Sequence, residues 1–365
     1  MGQKVAFTCS YVPPEVISAA GFQPLRLLPE NDAPPVADAA LPPTVCPYLR
    51  QIRQQVTNNN GDLTGLVVTS SCNAAIHFYA SLQKEANFFV YLLDLPRKNS
   101  GDSTGYYARQ IQDMAAFLEE RGDPVKSDKL ESMRQERRDA WKSLAKVSGY
   151  TGQNTSPLPL PLYPEMRQLW ENGAPNLKKR LEKHAVAHNP TAGNYSIGNP
   201  ASDNNFNYDS YNKKTPSILV TGAPFSPGFL ELLNRQEGFK FFLDECTTSR
   251  VLAPPSTEES ISMGAEQDIW MTLASEYLEK TPCPRFFLQD DREEWFKTLI
   301  SEGNYQGVIF HDLAFCDFNH YDALILGNVL ESHGIPFLKI KSELGPGEMG
   351  QIQTRIEAFL EMIDT

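Results

Sequence analysis

Cysteine is scarce in this sequence, and apolar segments long enough to cross a membrane are missing. Six cysteines in 365 residues are too few for the disulfide framework of a small secreted protein. The opening residues 1–5 carry no apolar stretch typical of a signal peptide. The longest apolar run, residues 88–95, is interrupted at Asp94. We therefore expect reduced thiols, a cytoplasmic location and no association with a membrane.

Basic residues are outnumbered, and several common catalytic motifs are absent. Lys and Arg number 33 against 45 Asp and Glu, which gives a formal net charge of −12. An acidic surface is repelled by the phosphate backbone, so nucleic acid is not an expected partner. The sequence contains no P-loop, no G-x-S-x-G elbow and no H-E-x-x-H pair. Any ATP hydrolysis that the function needs must then be performed by another protein.

The distribution of apolar runs predicts an α/β protein. At about 150 residues per domain, 365 residues correspond to roughly two domains. Continuous apolar runs at 66–68, 88–93, 218–220 and 307–310 are typical of strands buried on both faces of a parallel sheet. Helical patterns between the runs indicate βαβ units. We predict an N-terminal α/β domain at 1–104, a helical middle section at 105–188, an Asn-rich linker or arm at 189–215 and a C-terminal α/β domain at 216–365.

All six cysteines fall in predicted loops. Those that follow a predicted strand are Cys9, Cys72, Cys246 and Cys316, and those in Pro-flanked loops are Cys46 and Cys283. Ligands of open α/β sheets bind beyond the carboxyl ends of strands, whereas a structural cysteine usually packs as a small apolar side chain. Thiolates select iron–sulfur clusters, zinc or copper(I). Because no C-x2-C or ferredoxin spacing is present, distant loops would have to hold such a group.

Several segments resemble the 2-hydroxyacyl-CoA dehydratase and benzoyl-CoA reductase family. They are CSYVPPEVISAAGF at 9–22, CPYLR at 46–50, LVVTSSC at 66–72, GVIFH at 307–311 continuing to FCD at 315–317, and GQIQTRIEAFLE at 350–361. They occur in the family's order and span both ends of the chain. Family members have two Rossmann-like domains per subunit. The resemblance therefore implies two Rossmann-like parallel-sheet domains here.

The resemblance also implies a cofactor and a reaction. It assigns a 4Fe-4S cluster to Cys46, Cys72 and Cys316, with one iron left open for a substrate oxygen. In the family, an ATP-hydrolysing iron–sulfur activator protein supplies a low-potential electron. An acyl-CoA is then reduced by one electron to a ketyl radical, in a lyase or oxidoreductase reaction. The implied partners are this activator, the acyl-CoA substrate, and a sister subunit or a second copy of the chain.

A related branch, the double-cubane cluster proteins, is similar to this sequence in having six cysteines. Its members hold an 8Fe-9S cluster, for which Cys9, Cys246 and Cys283 would supply the second set of ligands. The run threonine-cysteine-aspartate-glycine-lysine of that branch is absent around Cys72, which leaves the single cubane as the first hypothesis. The alternative functions are a double-cubane reductase of small molecules and a non-catalytic electron-transfer or scaffold subunit.

Other polar residues near the cysteines are candidates for catalysis. His311 or His320 could deliver a proton, and Ser70 or Ser71 could donate to a cluster sulfide or a substrate, although an ordinary loop histidine and a turn serine explain them equally well. Asn73 stands where the family usually has aspartate, and Ile76-His77 stands where a pair of basic residues is common. The loss of positive charge at 76–77 weakens the case for a CoA phosphate contact nearby. Arg250 is a candidate for binding an anionic substrate or an interface carboxylate. The motif G-x-G-x-x-G at 345–350 is interpreted as a tight turn, because only 15 residues follow it.

Overall fold

The structure is a computed structural model that describes residues 3–29, 40–58, 62–98, 102–148, 157–164, 196–199, 202–207, 215–248, 268–280, 283–286 and 289–364. Its strands are β1 Lys4–Phe7, β2 Gln23–Arg26, β3 Gly65–Thr69, β4 Phe89–Leu93, β5 Leu158–Pro159, β6 Ser196–Asn199, β7 Ser202–Asn207, β8 Ser217–Gly222, β9 Lys240–Asp244, β10 Gly307–Leu313 and β11 Phe337–Ser342. Its α-helices are α1 Pro14–Ala19, α2 Pro47–Asn58, α3 Asn73–Leu82, α4 Ser103–Glu119, α5 Ser127–Ser148, α6 Pro227–Asn234, α7 Ile269–Glu279, α8 Gln289–Gly303, α9 Asp317–His333 and α10 Met349–Asp364. Within these described ranges, no helix is long and apolar enough to cross a membrane.

The N-terminal sheet has the strand order β2-β1-β3-β4, and every pairing in it is parallel. Its strand β3 is buried along its whole length. A strand covered on both faces needs no alternation of polar and apolar residues, which explains the continuous run Leu66–Val68. The parallel order places the carboxyl ends of β1 and β3 side by side.

The C-terminal sheet has the order β11-β10-β8-β9-β5. Its first four strands are parallel, and only the edge strand β5 is antiparallel. All seven residues of β10 are buried, as its apolar sequence indicates. Two sheets dominated by parallel pairing, with helices packed around them, confirm the predicted α/β class and agree with two Rossmann-like domains.

The hydrophobic cores do not follow the order of the chain. Leu158, Leu160 and Leu162, in the Pro-rich stretch of the predicted helical section, pack in the core of the C-terminal sheet. Helix α7 follows β9 in the chain, yet its Leu273 and Tyr277 pack in the core of the N-terminal sheet. The domain boundaries stay a prediction, but each sheet is completed by a segment from elsewhere in the chain.

Two regions singled out in the sequence are only partly described. In the predicted helical section, α4 and α5 are helical as expected, whereas residues 165–188 lie outside the described residues. In the Asn-rich segment, β6 and β7 form an antiparallel pair. The rest of that segment up to residue 214 lies outside the described residues.

Candidate metal centre

One cavity of about 190 Å³ lies where loops at the carboxyl ends of both sheets meet. Its wall includes residues that follow β1, β3, β8, β9 and β10, together with the start of α2 and the segment after α7. This is the edge of a parallel sheet at which ligands bind in α/β proteins. All six cysteines line this cavity: Cys9, Cys46, Cys72, Cys246, Cys283 and Cys316. The structure thus brings together every candidate ligand named from the sequence.

Three of these cysteines lie at the starts of helices. Cys72 is the N-cap of α3, and its Sγ accepts a hydrogen bond from the backbone N of Ala75 at 3.4 Å. Cys316 is the N-cap of α9, and Cys46 immediately precedes α2. The partial positive charge of a helix N-terminus favours a thiolate or another anion. The three ligands implied by the resemblance therefore share one electrostatic setting.

The six thiols are free, Cys46 being buried and the other five half-buried. Burial raises the pKa of Cys46 to about 12 and the pKa of Cys246 to about 12. It also raises the pKa of Cys316, where the nearby Cys46 thiol adds to the effect. Such thiols stay protonated until a cation replaces the proton, which is how metal binding releases protons. At Cys46, Cys246 and Cys316 the cavity therefore offers soft ligands that ionise when a metal group is bound.

The spread of the thiols bears on which metal group fits. A single zinc ion requires four ligand atoms within about 2.0–2.3 Å of one point. Among the described residues, no group of three or more His, Cys, Asp or Glu side chains converges closely enough to hold one metal ion. In an iron–sulfur cluster each thiolate binds a different iron, so the ligands stand further apart. Free thiols distributed around one cavity fit a cluster better than a mononuclear site.

Cationic side chains lie beside the thiols. Lys280 and Arg285 line the cavity, and the buried Arg26 donates from Nη2 to the Sγ of Cys246 at 3.4 Å. Lys280 donates from Nζ to the carbonyl oxygen of Ser10, and its Nζ lies 3.9 Å from the centroid of the Tyr11 ring. Burial lowers the pKa of Lys280 to about 7. The cavity therefore combines thiols with buried cations, a combination suited to an anionic group.

The sequence model of the family described as 2-hydroxyglutaryl-CoA dehydratase, D-component, matches residues 9–363. The chain belongs to this dehydratase family. This membership confirms the resemblance, and the matched range contains all six cysteines.

Two curated relatives match shorter stretches of the chain. The Escherichia coli (strain K12) protein YjiM, provisionally named a dehydratase subunit, is 26% identical over 152 residues, which are 40% of this chain and 38% of YjiM. The beta subunit of (R)-2-hydroxyglutaryl-CoA dehydratase from Acidaminococcus fermentans is 32% identical over 77 residues, which are 21% of this chain and 20% of that subunit. The chain therefore covers well under half the length of either relative.

The candidate catalytic residues occupy different positions in this dehydratase-family chain. Ser71 lines the cavity next to Cys72. Ser70 turns away, donating its hydroxyl to Asp94 and accepting from the backbone N of Leu95 at 3.0 Å. His320 contacts Asp312 at 3.1 Å, and 59% of its side chain is exposed. Of the candidate hydroxyl and imidazole groups, Ser71 is the one that reaches the cavity.

His311 lies inside β10 and does not line the cavity. Its Nδ1 is 3.2 Å from the carbonyl oxygen of Ala223, and its Nε2 is 3.1 Å from the Oγ of Ser342. Burial lowers the pKa of His311 to about 4, so the ring is neutral near pH 7. A neutral, enclosed imidazole cannot exchange a proton with a molecule in the cavity. The structure places the candidate proton donor His311 behind the cavity wall: it lies two residues before Leu313, the end of β10 that lines the cavity, and its ring packs against Phe225 and Phe229.

Some residues at the site were not anticipated, and one anticipated residue is not described. Lys280, Arg285 and Tyr11 were missed, although Arg285 and Tyr11 each stand two residues after a cysteine. Their closeness to a cysteine in the sequence was the signal that could have identified Arg285 and Tyr11 as site residues. Arg250 lies outside the described residues. The segment 345–350 forms a short 3-10 turn, Pro346–Glu348, leading into α10, as the sequence indicated.

Proposed function

We propose that this chain is the iron–sulfur cluster-binding subunit of an enzyme of the 2-hydroxyacyl-CoA dehydratase type. The observation that carries the proposal is that six free cysteines line one cavity. Membership of the dehydratase D-component family supports it, because the family match at 9–363 includes that cavity.

The residues of the chain would perform three tasks. Cys46, Cys72 and Cys316 would hold the cluster, because the helix N-termini behind them favour bound anions. When bound, the cluster supplies a low-potential electron to an acyl-CoA thioester. The buried side chains of Leu49 and Leu313 in the cavity wall exclude water from the group held there. The hydroxyl of Ser71 is placed to donate a hydrogen bond into the cavity.

Two clusters of different size are candidates for the bound group. The single 4Fe-4S cubane uses Cys46, Cys72 and Cys316. The second candidate, an 8Fe-9S double cubane, also uses Cys9, Cys246 and Cys283. The presence of all six thiols on one cavity is the observation that supports the second candidate, and with it the alternative function, a double-cubane reductase of small molecules. A cubane alone would leave three more thiols facing the same space without a metal.

The proposed partners follow from the family and from the sequence. The curated relatives are named as subunits, so we propose that this chain works with a sister subunit or a second copy of itself. Because the sequence has no P-loop, a separate ATP-hydrolysing activator would deliver the electron. An acyl-CoA is the proposed substrate. An electron-transfer or scaffold subunit is the alternative, and it would bind iron but no acyl-CoA.

The test is a metal analysis of the protein purified without oxygen. We expect about four irons per chain for the cubane or about eight for the double cubane, with matching acid-labile sulfide and an electron paramagnetic resonance signal after reduction. A chain that holds no iron, both as purified and after treatment with ferrous iron and sulfide, would contradict the proposal. Calorimetry of the loaded protein with an acyl-CoA then separates the enzyme from the electron-transfer subunit.

A further inference from the structure

Two buried side chains that line the cavity, Arg285 and Tyr11, carry hydrogen-bond donors without an acceptor among the described residues. Arg285 is 2% exposed, and Tyr11 is 1% exposed. Nη1 of Arg285 donates to the carbonyl oxygen of Pro96 at 3.1 Å. Within the described part of the chain, Nε and Nη2 of Arg285 and the hydroxyl of Tyr11 have no hydrogen-bond partner. Buried donors are almost always paired in folded proteins, so these groups indicate an acceptor inside the cavity.

Charge gives a second, independent indication of what that acceptor is. Arg285 and Lys280 are both buried, and neither forms an ion pair with any carboxylate of the described residues. Asp322, a carboxylate that also lines the cavity, is engaged by Arg292 through two contacts of 2.8 and 2.5 Å. Burying an uncompensated charge is costly. An anion in the cavity would compensate the charge of Arg285 and would favour the protonated form of Lys280.

The two donors belong to the same side of the cavity. The guanidinium carbon of Arg285 lies 4.9 Å from the centroid of the Tyr11 ring. Tyr11 follows Cys9 by two residues, and Arg285 follows Cys283 by two residues. The donors therefore accompany the second set of cysteines, which the single-cubane hypothesis leaves without a metal. Burial raises the pKa of Tyr11 and the thiols of Cys283 and Cys9 add to the effect, so these cysteines lie near the Tyr11 hydroxyl.

We propose that Arg285 and Tyr11 are positioning residues that donate hydrogen bonds to sulfur atoms of the bound cluster and raise its reduction potential. The inference depends on the proposed function, since it requires a cluster in the cavity. Reduction adds negative charge to the cluster. A cation and hydrogen-bond donors next to the sulfurs stabilise the reduced state more than the oxidised state.

The test is a redox titration followed by electron paramagnetic resonance on the protein and its variants. Arg285→Gln should lower the reduction equilibrium constant at least tenfold, about 59 mV for a one-electron couple. Tyr11→Phe removes a donor without a charge and should shift the potential in the same direction by less. Arg285→Lys keeps the charge and should recover part of the potential.

A matched control removes a cation that solvent screens. Arg50 stands four residues after Cys46 and donates to the carbonyl oxygen of Pro43 at 2.7 Å in an exposed position. Because water and salt screen exposed charges, Arg50→Gln should move the potential by less than a third of the Arg285→Gln shift.

The outcomes separate this inference from the proposed function. Full iron content with unchanged potentials in Arg285→Gln and Tyr11→Phe would overturn the inference and leave the proposed function standing. A wild-type chain without iron would overturn both. If Arg285→Gln fails to fold, Tyr11→Phe and Arg285→Lys decide the matter, because each keeps most of the packing of the original side chain.

Discussion

The guanidinium of Arg26 lies 3.4 Å from the Sγ of Cys246, although 220 residues separate the two in the chain. Arg26 ends β2 in the N-terminal sheet, and Cys246 follows β9 in the C-terminal sheet. Arg26 is 1% exposed, so its N–H···S contact is shielded from water. The contact joins the two halves of the molecule at the wall of the cysteine-lined cavity.

Replacement of Arg26 tests whether this contact supports a metal ligand. Arg26→Met keeps much of the packing and removes the donor. Loss of a group that orients a metal ligand typically weakens metal binding about 10–100-fold. We expect the loaded variant to release iron to a chelator at least tenfold faster than the wild type, measured by the absorbance of the iron–chelator complex. Unchanged release, with Arg50→Gln as the charge control, would show that Arg26 has no part in holding iron.

Replacement of the cysteines by serine distinguishes the two clusters. Cys46→Ser, Cys72→Ser and Cys316→Ser should each remove most of the bound iron, because a cubane anchored by three thiolates is released as a unit when one of them is lost. The combined change of Cys9, Cys246 and Cys283 to serine should leave about half of the iron if the cluster is a double cubane and nearly all of it if it is a cubane. Iron per chain is measured together with circular dichroism, which verifies folding. Full iron retention in the three single variants would refute the assignment.

Gly222, at the end of β8, tests how closely the backbone is packed beside the cavity. Its φ is +114°, and a Cβ placed there would lie 2.4 Å from the carbonyl oxygen of His311. Since a side chain would be strained and would collide with the backbone, Gly222→Ala should lower the free energy of unfolding by about 1–3 kcal/mol, measured by denaturant titration.

Gly327, inside α9, supplies the matched control for Gly222. A Cβ at Gly327 would make only ordinary contacts, at 3.5 and 3.8 Å from Phe337. Because alanine favours the helix over glycine, Gly327→Ala should stabilise the protein by about 0.5–1 kcal/mol. Equal effects of the two alanine substitutions would contradict this account of Gly222.

His311 should make stability depend on pH. Burial lowers its pKa to about 4 in the folded protein, against about 6.5 in the unfolded chain. Below pH 6.5 the unfolded state binds the proton and the folded state does not, so stability falls as the pH drops toward 4. Asp312 partly opposes the shift.

The measurement compares wild type with His311→Gln in denaturant titrations at pH 7 and pH 5. Histidine titration should cost the wild type about 2 kcal/mol over this interval. The variant, which keeps a polar side chain without a titrating ring, should lack that part of the pH dependence. Parallel curves for the two proteins would mean that His311 is protonated or exposed in the folded state.

The sequence predicted local structure well where burial is uniform. Residues 66–68 and 307–310 were interpreted as buried strands, and β3 and β10 are buried throughout. It did not predict that Leu158–Pro159 would form an edge strand. Proline occurs in a sheet mainly at its edge, and a local sequence does not show which strand lies at the edge. Nor did it predict that α7 packs on the N-terminal sheet, since a local pattern does not indicate which sheet covers a helix.

Some residues of the candidate site could be named from the sequence, and others only from the structure. Ser71, singled out because it stands next to Cys72, lines the cavity. His311, singled out because it precedes Cys316, lies further back along β10 and packs against Phe225 and Phe229, and proximity in sequence does not show how deep in a strand a residue lies. Arg285 and Lys280 carried no motif, and their importance depends on burial without a carboxylate partner in the part of the chain that the structure describes. Whether a side chain is buried, and whether a carboxylate pairs with it, can be read only from the folded chain.

By itself, the sequence determined the α/β class, the position of the cysteines in loops after strands and the family resemblance, because each depends on local order along the chain. Only the tertiary structure decided that Cys9, Cys246 and Cys283 share one cavity with Cys46, Cys72 and Cys316. It also decided that buried cations face those thiols. The physical reason is that the two sheets meet at their carboxyl ends, so loops far apart in the chain surround one cavity lined by thiols and buried basic side chains.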